Sequence, residues 1–547
     1  MIHYLTRLEE TIRQNWESPA LCNFKGEEFK FKDMAESIAK FHIFFEAAGI
    51  AKGDHIAICA KNTARWAVSF FSVNTYGAVV VPLLSDFLPE SVGNLVNHSE
   101  SRILFTDKEI WEKLDMNAMP DVRAVVAVND FSLLFCADED IRNAYERLPE
   151  AFSTRYPLGF SGENVKFETG NDKEIAVINY TSGTTSAPKG VMLRYECFSA
   201  MIDFAISNVH IDNRDKIVSM LPMGHIYGLA FELIFPICFG CTIYYLGKTP
   251  SPTLLLKAMK EVRPCMVVTV PLVMEKVYKN SIKPVISKFP LNILLHIPIL
   301  GKFLYRKIGR KIHEAFGGKA HHYIMGGAAL NPEVEKVFKK LGLPYLVGYG
   351  MTEAAPLLAF EQPDKYVPGS CGKAVSCCTL RIDSEDPQHI AGEIQAKGTN
   401  ICSGYFKNPE ATENAFTEDG YLRTGDLGIM DKDGNIFIKG RSKNMLLSAN
   451  GQNIYPEEVE AVINSQGYVL ESLVVDRNGK LVGLVCLDKD AIKRDGLDSE
   501  AVADIPEKIF INSNRSLPAY SRLSKVEIVT APFEKTPKMS IKRFLYK

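Results

Sequence analysis

Apolar and polar positions follow two alternating rhythms along the first part of the chain. Residues 31–48, 63–76 and 89–98 carry apolar side chains at helical spacing. Between them, His55-Ile-Ala-Ile-Cys-Ala60, Gly77-Ala-Val-Val-Val81 and Arg102-Ile-Leu-Phe-Thr106 are short apolar runs. Apolar runs that separate amphipathic helices are what a parallel sheet covered on both faces requires. The rhythm resumes at Ile175-Ala-Val-Ile-Asn-Tyr180 and again over 217–221, 265–270, 321–325 and 344–348, with a very apolar helical run over 229–239. Residues 150–173 are polar and irregular, and are expected to form a linker or an excursion.

The texture changes near residue 370. Residues 423–440 read as short antiparallel strands turning at Asp433-Gly434. Beyond Arg441-Ser442-Lys443, about 105 residues are enough for a small α+β domain. Within it, Pro456-Glu457-Glu458-Val459-Glu460 starts a helix with proline near N1 and acids in the first turn. Asn478-Gly479 joins two apolar strands as a hairpin turn. The expected fold class is α/β: a large multi-layer N-terminal domain of mostly parallel sheets with a β-rich subdomain, followed by a small α+β C-terminal domain.

Composition narrows the class. A chain of 547 residues exceeds one core, so two or three domains are expected. A net charge of −2 gives no global case for nucleic acid as a partner. Twelve cysteines are scattered without a disulfide framework, which fits a reducing compartment. Cys238 and Cys241 form a CxxC, but their setting, Phe-Pro-Ile-Cys-Phe-Gly-Cys-Thr-Ile, is that of a packed core rather than a redox or zinc site. Cys377-Cys378 lacks a second ligand pair. The N-terminus has neither the basic start nor the apolar stretch of a signal peptide, and no run approaches a membrane span. The expected location is cytoplasmic.

One segment stands apart. Residues 276–319 hold ten Lys/Arg and a single acid, Glu314, interleaved with Phe289, Leu291, Ile293, Leu294, Leu295, Ile297, Ile299, Leu300, Phe303 and Leu304. A docked helical excursion with a solvated basic face explains this. So does a peripheral contact with anionic lipid, using both apolar area and charge.

Candidate chemistry begins after the 175–180 run, at Thr181-Ser182-Gly183-Thr184-Thr185-Ser186-Ala187-Pro188-Lys189-Gly190. Small residues let the backbone approach an anion, hydroxyls add donors, and Lys189 adds a mobile positive charge. Alone, such a stretch is equally a surface turn. It is not a Walker A loop, because Pro188 and Gly190 occupy places where that motif needs glycine and Ser or Thr. Two further glycine-rich or polar stretches follow strand-like runs: Gly326-Gly327-Ala328 and Tyr349-Gly350-Met351-Thr352-Glu353. His225 lies in another, at the end of the 217–221 run. Ligands of open α/β sheets sit at the carboxyl ends of strands, so these stretches point to one site. Tyr349 offers a ring face to a purine, Thr352 a hydroxyl, and Glu353 a hard oxygen for Mg²⁺. Asp426, in Tyr421-Leu-Arg-Thr-Gly-Asp426, could accept hydrogen bonds from both hydroxyls of a ribose.

In this order and spacing the stretches resemble the motifs of the adenylate-forming (ANL) superfamily, across nearly the whole chain. The similarity is closest to bacterial long-chain acyl-CoA synthetases, through the basic-apolar insert before Gly326, the stretch Pro271-Leu-Val-Met-Glu-Lys276, and the ending Lys-Arg-Phe-Leu-Tyr. The resemblance implies a fatty acid substrate, ATP, Mg²⁺ and coenzyme A. It implies an adenylation domain over 1–440 and a mobile domain over 441–547. By the same resemblance, residues 181–190 hold the ATP phosphates, with Thr181, Ser182, Gly183, Thr184, Thr185, Lys189 and Gly190 taking part. Gly326, Gly327, Ala328, Tyr349 and Gly350 line the adenine site, and Thr352 meets phosphate or carboxylate. Glu353 holds Mg²⁺, Asp426 and Arg441 reach the ribose, His225 lies beside the acyl carboxylate, Lys443 is the hinge, and Gly451 belongs to a loop turning toward the pantetheine tunnel.

The C-terminus departs from the family pattern. Where the family places an adenylation lysine, this chain has Ser540, flanked by Lys538 and Lys542. A serine lacks the charge that offsets negative charge developing at phosphorus. Three readings follow: a fatty acid–CoA ligase, a ligase for another acid or for acyl carrier protein, and an ATP- or acyl-AMP-binding protein impaired in adenylation.

Overall fold

The computed structural model describes residues 1–181, 188–247, 252–447, 453–477, 480–536 and 541–546. Two seven-stranded sheets organise the large domain. The first runs in the order Leu133–Cys136, Ala124–Ala127, Ile103–Thr106, His55–Cys59, Val79–Leu83, Ile175–Thr181, Lys189–Arg194. Its inner strands are parallel and its two edge pairs antiparallel. The second runs Tyr345–Val347, His322–Met325, Met266–Thr269, Lys216–Ser219, Thr242–Tyr245, Pro19–Asn23, Glu28–Lys30, parallel except for its last pair. The central strands are buried along nearly their whole length, as sheets covered on both faces demand.

The sequence rhythm maps closely onto these elements. Helices form at Phe31–Ala47, Ala64–Tyr76 and Pro89–His98. The run expected as a strand over 77–81 is displaced to Val79–Leu83. Gly77 (φ 85°) is spent on the left-handed cap that ends the preceding helix, so extended backbone starts only after it. The expected excursion over 150–173 is partly helical. Leu148–Arg155 has proline in its first turn and lays Ala151 and Phe152 on the main core.

The β-rich region is a four-stranded antiparallel sheet, Cys378–Asp383, Gly392–Gly398, Leu422–Met430, Ile436–Arg441. The small domain packs helices Pro456–Asn464 and Ile505–Ser516 on a sheet of Val469–Arg477, Lys480–Leu487 and Lys525–Val529, with its own core around Val459, Ile463, Val485 and Ile509. The proposed hairpin turn at 478–479 lies outside the described residues, while its flanks, Arg477 and Lys480, pair antiparallel. The tail is fastened to this domain. Arg543 pairs with Glu460, Lys535 with Glu471, and Lys542 with Glu534. Across the domains, Lys279 donates to the Val469 carbonyl at 3.0 Å.

Residues 276–319 form a chain of short helices ending in the long helix Pro298–Ala315, which packs Gly309 onto the backbone at Leu341. Among the described residues no helix is long and apolar enough to cross a membrane.

Candidate active site

The strand Ile175–Thr181 folds back on Lys189–Arg194, pairing Thr181 with Lys189 and Tyr180 with Gly190. The loop expected to hold phosphates is therefore the connection of a β-hairpin at a sheet edge. Ser182, Gly183, Thr184 and Thr185 lie outside the described residues. Gly190 is buried, and a Cβ there would come within 2.8 Å of Ile178 and 3.2 Å of the Tyr180 ring. Its lack of a side chain is needed for packing within the hairpin.

Residues 402–406 dock along the second strand of that hairpin. The Met192 and Gly404 backbones bond at 3.0 Å, and the Phe406 N–H donates to the Gly190 carbonyl at 2.8 Å. This lays the Tyr405 ring under the Lys189 ammonium, 5.1 Å from the ring centroid. The Tyr405 hydroxyl in turn donates to Glu353 at 2.8 Å. Lys189 and Glu353, 164 positions apart in sequence, are thus joined through a residue that carries no motif. Burial, with the Glu353 charge adding to it, drives the Tyr405 hydroxyl pKa upward, so it stays a donor.

Glu353 lies in the short helix Thr352–Ala354, and both Thr352 and Glu353 are buried. Tyr349–Gly350 pairs antiparallel with Leu357–Phe360. A Cβ on Gly350 would overlap the Pro356 carbonyl oxygen, so only glycine lets these two segments close up.

A second cluster forms beside the first. The Tyr349 hydroxyl donates to Asp426 Oδ2 at 2.7 Å, and Arg441 Nε meets Asp426 Oδ1 at 2.8 Å. The sheet register explains the second contact, because Asp426 and Arg441 are direct partners across the hairpin of Leu422–Met430 and Ile436–Arg441. Burial raises the Asp426 pKa, and Arg441 and then Tyr349 oppose that shift. Each carboxylate oxygen still has lone-pair capacity beyond these two donors. The Arg441 side chain is 55% exposed, so its guanidinium faces open space above the buried Asp426.

The glycines expected at the adenine site follow the strand His322–Met325. Gly326 is buried with the Tyr227 ring 3.1 Å from where its Cβ would be, whereas Gly327 (φ 84°) and Ala328 are exposed. Tyr227 closes the ends of two strands, donating to the Thr269 and Ile324 carbonyls at 3.1 and 3.3 Å. His225 caps the helix Ile226–Leu229, its Nδ1 accepting from the Tyr227 N–H at 3.1 Å. Lys443 sits exposed in the turn Ser442–Asn444, just past the last strand of the β-rich sheet. Gly451, Lys538 and Ser540 lie outside the described residues. Lys542 is 3.4 Å from Glu534 in the tail.

Sequence reasoning passed over Tyr405, Tyr227 and Glu232. Glu232 is wholly buried in a π-helical turn, Ala230–Ile234. Its Oε2 accepts from the Ser219 hydroxyl at 3.0 Å and from the N–H groups of Met220 and Leu221 at 2.9 and 2.8 Å. It thereby fixes the strand end that leads to His225. A lone acid in a very apolar run was the signal available in the sequence.

A cavity of about 380 Å³ lies in the basic insert, between Tyr278, Lys283, Leu295 and Glu333, and none of its lining belongs to the two clusters. Among the described residues no group of three or more His, Cys, Asp or Glu could hold a metal ion. Glu353 alone still suits Mg²⁺, which is bound through one or two carboxylates plus substrate phosphates and keeps several waters.

Residues 8–406 match the family described as AMP-binding enzyme, and residues 443–546 match the AMP-binding enzyme C-terminal domain. Long-chain-fatty-acid–CoA ligase 5 of Rattus norvegicus is 28% identical over 472 residues, 80% of this chain and 67% of its own. Long-chain-fatty-acid–CoA ligase FadD15 of Mycobacterium tuberculosis is 27% identical over 475 residues, 81% of this chain and 75% of its own. Among solved structures, ATP-bound MatB from Rhodopseudomonas palustris matches with a TM-score of 0.78 at 21% identity, covering 99% of this chain and 97% of that one. O-succinylbenzoate coenzyme A synthetase from Bacillus subtilis, in complex with AMP, matches with a TM-score of 0.74 at 20% identity, covering 100% and 98%. At these identities the structural likeness bears on the fold.

Proposed function

The chain belongs to the AMP-binding enzyme family, and from that premise we propose that this AMP-forming acid–CoA ligase acts on a long-chain fatty acid. One observation carries the site assignment: Lys189–Tyr405–Glu353 and Tyr349–Asp426–Arg441 converge, with Glu353 close enough for its charge to act on Asp426. That arrangement offers a cation for phosphate, a carboxylate for a hard metal, and a buried acceptor for sugar hydroxyls. The fatty substrate rests on the curated relatives and on the apolar composition of the run 226–239, which permits a long chain without requiring one.

In the first step the substrate carboxylate attacks the α-phosphorus of ATP, forming acyl-adenylate and releasing pyrophosphate. Lys189, drawn toward Glu353 by the Tyr405 ring, offsets charge on the departing phosphates. Asp426 receives the ribose hydroxyls and Arg441 covers them from the open side. Tyr349 holds Asp426 in place and bounds the purine site with Gly326. When bound, Mg²⁺ would be held by Glu353 and supply charge neutralisation at the phosphates. In the second step CoA thiolate attacks the acyl carbonyl and AMP leaves, after the small domain turns about Lys443 and brings in the loop containing Gly451. Positioning and charge stabilisation are the main catalytic means.

Pyrophosphate release measured with a panel of acids, from aryl and medium-chain to long-chain, tests the reading. Long-chain acids should give the highest rate. A preference for an aryl or medium-chain acid would overturn the substrate assignment, and thioester formation on acyl carrier protein but not on CoA would overturn the acceptor.

A second reading, of a protein impaired in adenylation, draws on Ser540 and on the surface pairing of Lys542 with Glu534. A pair so exposed holds its lysine weakly, so Lys542 can leave it. Comparing Lys538→Ala with Lys542→Ala in pyrophosphate release identifies which lysine replaces the expected one. ATP binding without release for any acid would favour the second reading.

A further inference from the structure

The segment 276–319 keeps its apolar residues on the outside. Phe289 is 73% exposed, Ile299 87% and Phe303 65%, and Ile293, Ile297 and Leu300 are exposed beside them. Isolated exposed apolar side chains are ordinary, but a cluster of this kind marks an interaction surface. In the helix Pro298–Ala315 one face, with Gly301, Gly309 and Ile312, turns toward the protein. The opposite face reads Ile299, Phe303, Lys307, Arg310 at helical spacing, with Lys302, Arg306 and Lys311 alongside. The tip of the helix is thus apolar and its stem basic. Lys307 and Lys311 follow Phe303 by roughly 6 and 12 Å along the axis, at ~1.5 Å per residue.

The charge distribution decides which partner fits. Ten cations and one acid give 276–319 a charge of +9, and since the whole chain is −2, the remainder carries −11. None of Lys288, Lys302, Arg306, Lys307, Arg310 and Lys311 forms an ion pair with a described acidic residue. Two copies meeting face to face here would bring like charges together. A nucleic acid would use the cations and leave Phe289, Ile299 and Phe303 unexplained. An anionic bilayer satisfies both features, taking apolar side chains ~5–10 Å into the headgroup boundary while the lysines meet phosphates.

We propose that this face docks the protein on an anionic lipid bilayer, with Phe289, Ile299 and Phe303 inserted and Lys302, Arg306, Lys307, Arg310 and Lys311 at the headgroups. The negative remainder of the molecule is repelled from the same surface, which fixes its orientation. Docking is independent of which acid is activated.

The test is flotation of the full chain with vesicles of phosphatidylcholine alone or mixed with phosphatidylglycerol. Binding to the mixed vesicles and release at about 0.5 M salt are expected, because the screening length falls to ~4 Å. The triple variant Lys302→Gln/Lys307→Gln/Lys311→Gln should weaken binding about a hundredfold, at about fivefold per lysine. The variant Ile299→Ser/Phe303→Ser should weaken it at least about tenfold. All these positions are exposed, so pyrophosphate release with a water-soluble acid should be unchanged in both variants, which reports that they fold. Equal binding to neutral vesicles, unaltered binding by both variants, or dimerisation through this face would each overturn the proposal.

Discussion

Replacing Glu232 with glutamine isolates the electrostatic cost of one buried carboxyl. Two influences oppose each other at this residue. Burial pushes its pKa from 4.5 up to about 8, while three hydrogen bonds to Oε2 pull downward. Burial is the larger, and Oε1 is buried without a hydrogen-bond partner among the described residues. In the unfolded chain the carboxyl ionises near 4.5, while in the folded protein it holds its proton to about 8. Its contribution to stability is therefore fully present below pH ~4.5, and is lost progressively as pH rises toward 8. The slope is ~1.4 kcal/mol per pH unit, so the total loss is roughly 5 kcal/mol. Glutamine keeps an acceptor for the same three donors and does not titrate. Glu232→Gln should gain on the wild type by ~4 kcal/mol between pH 5 and pH 8. With an unfolding entropy of ~2.1 cal/mol/K per residue, that is a relative gain in Tm of about 4 °C. The assay is thermal unfolding of both proteins across pH 5–8.5, since the other titrating groups cancel in the difference. A difference that stays flat would refute the reasoning, because it would mean that the three donors hold the carboxylate ionised throughout.

Four further outcomes are expected. Asp426→Asn keeps the shape but loses charge-assisted hydrogen bonding to Arg441 and the ribose, and should weaken ATP binding by about 1.5–3 kcal/mol in a calorimetric titration. Tyr405→Phe removes the donor on Glu353 without changing the ring beneath Lys189, and should raise the Mg²⁺ concentration needed for half-maximal pyrophosphate release about tenfold; an unchanged Mg²⁺ titration argues against Glu353 as the metal ligand. Lys443→Pro should leave pyrophosphate release nearly intact and abolish thioester formation, and full thioester yield would contradict the hinge assignment. Arg543→Ala strips the partner from the buried Glu460 and should destabilise the small domain by roughly 3–5 kcal/mol, read as proteolytic cleavage of the tail before the large domain.

The parallel sheets were legible because their strands are buried on both faces and so appear as unbroken apolar runs between helices. The pairing of Asp426 with Arg441 was within reach of the sequence, because the two stand in adjoining strands whose hairpin register makes them neighbours. What escaped notice depends on contacts between distant segments. The strand Pro19–Asn23 exists because Thr242–Tyr245 lies beside it, more than 200 residues away. Tyr405 matters only because 402–406 dock on the hairpin that bears Lys189. Gly190 carries a constraint that the sequence did not show: its small size is needed for packing against Ile178 and Tyr180.

The hydrogen bond from Lys279 to the Val469 carbonyl acts as a detent between the two domains. The ammonium is half-buried, and burial lowers its pKa, so leaving it without a partner is unfavourable. A turn of the small domain that carries Val469 away must first release this contact. At about 1.5–3 kcal/mol for a hydrogen bond to a charged group, the detent is worth roughly a ten- to hundredfold bias in occupancy toward the orientation seen here. For the proposed turn of the small domain, it is deep enough to define a resting position and shallow enough to be crossed.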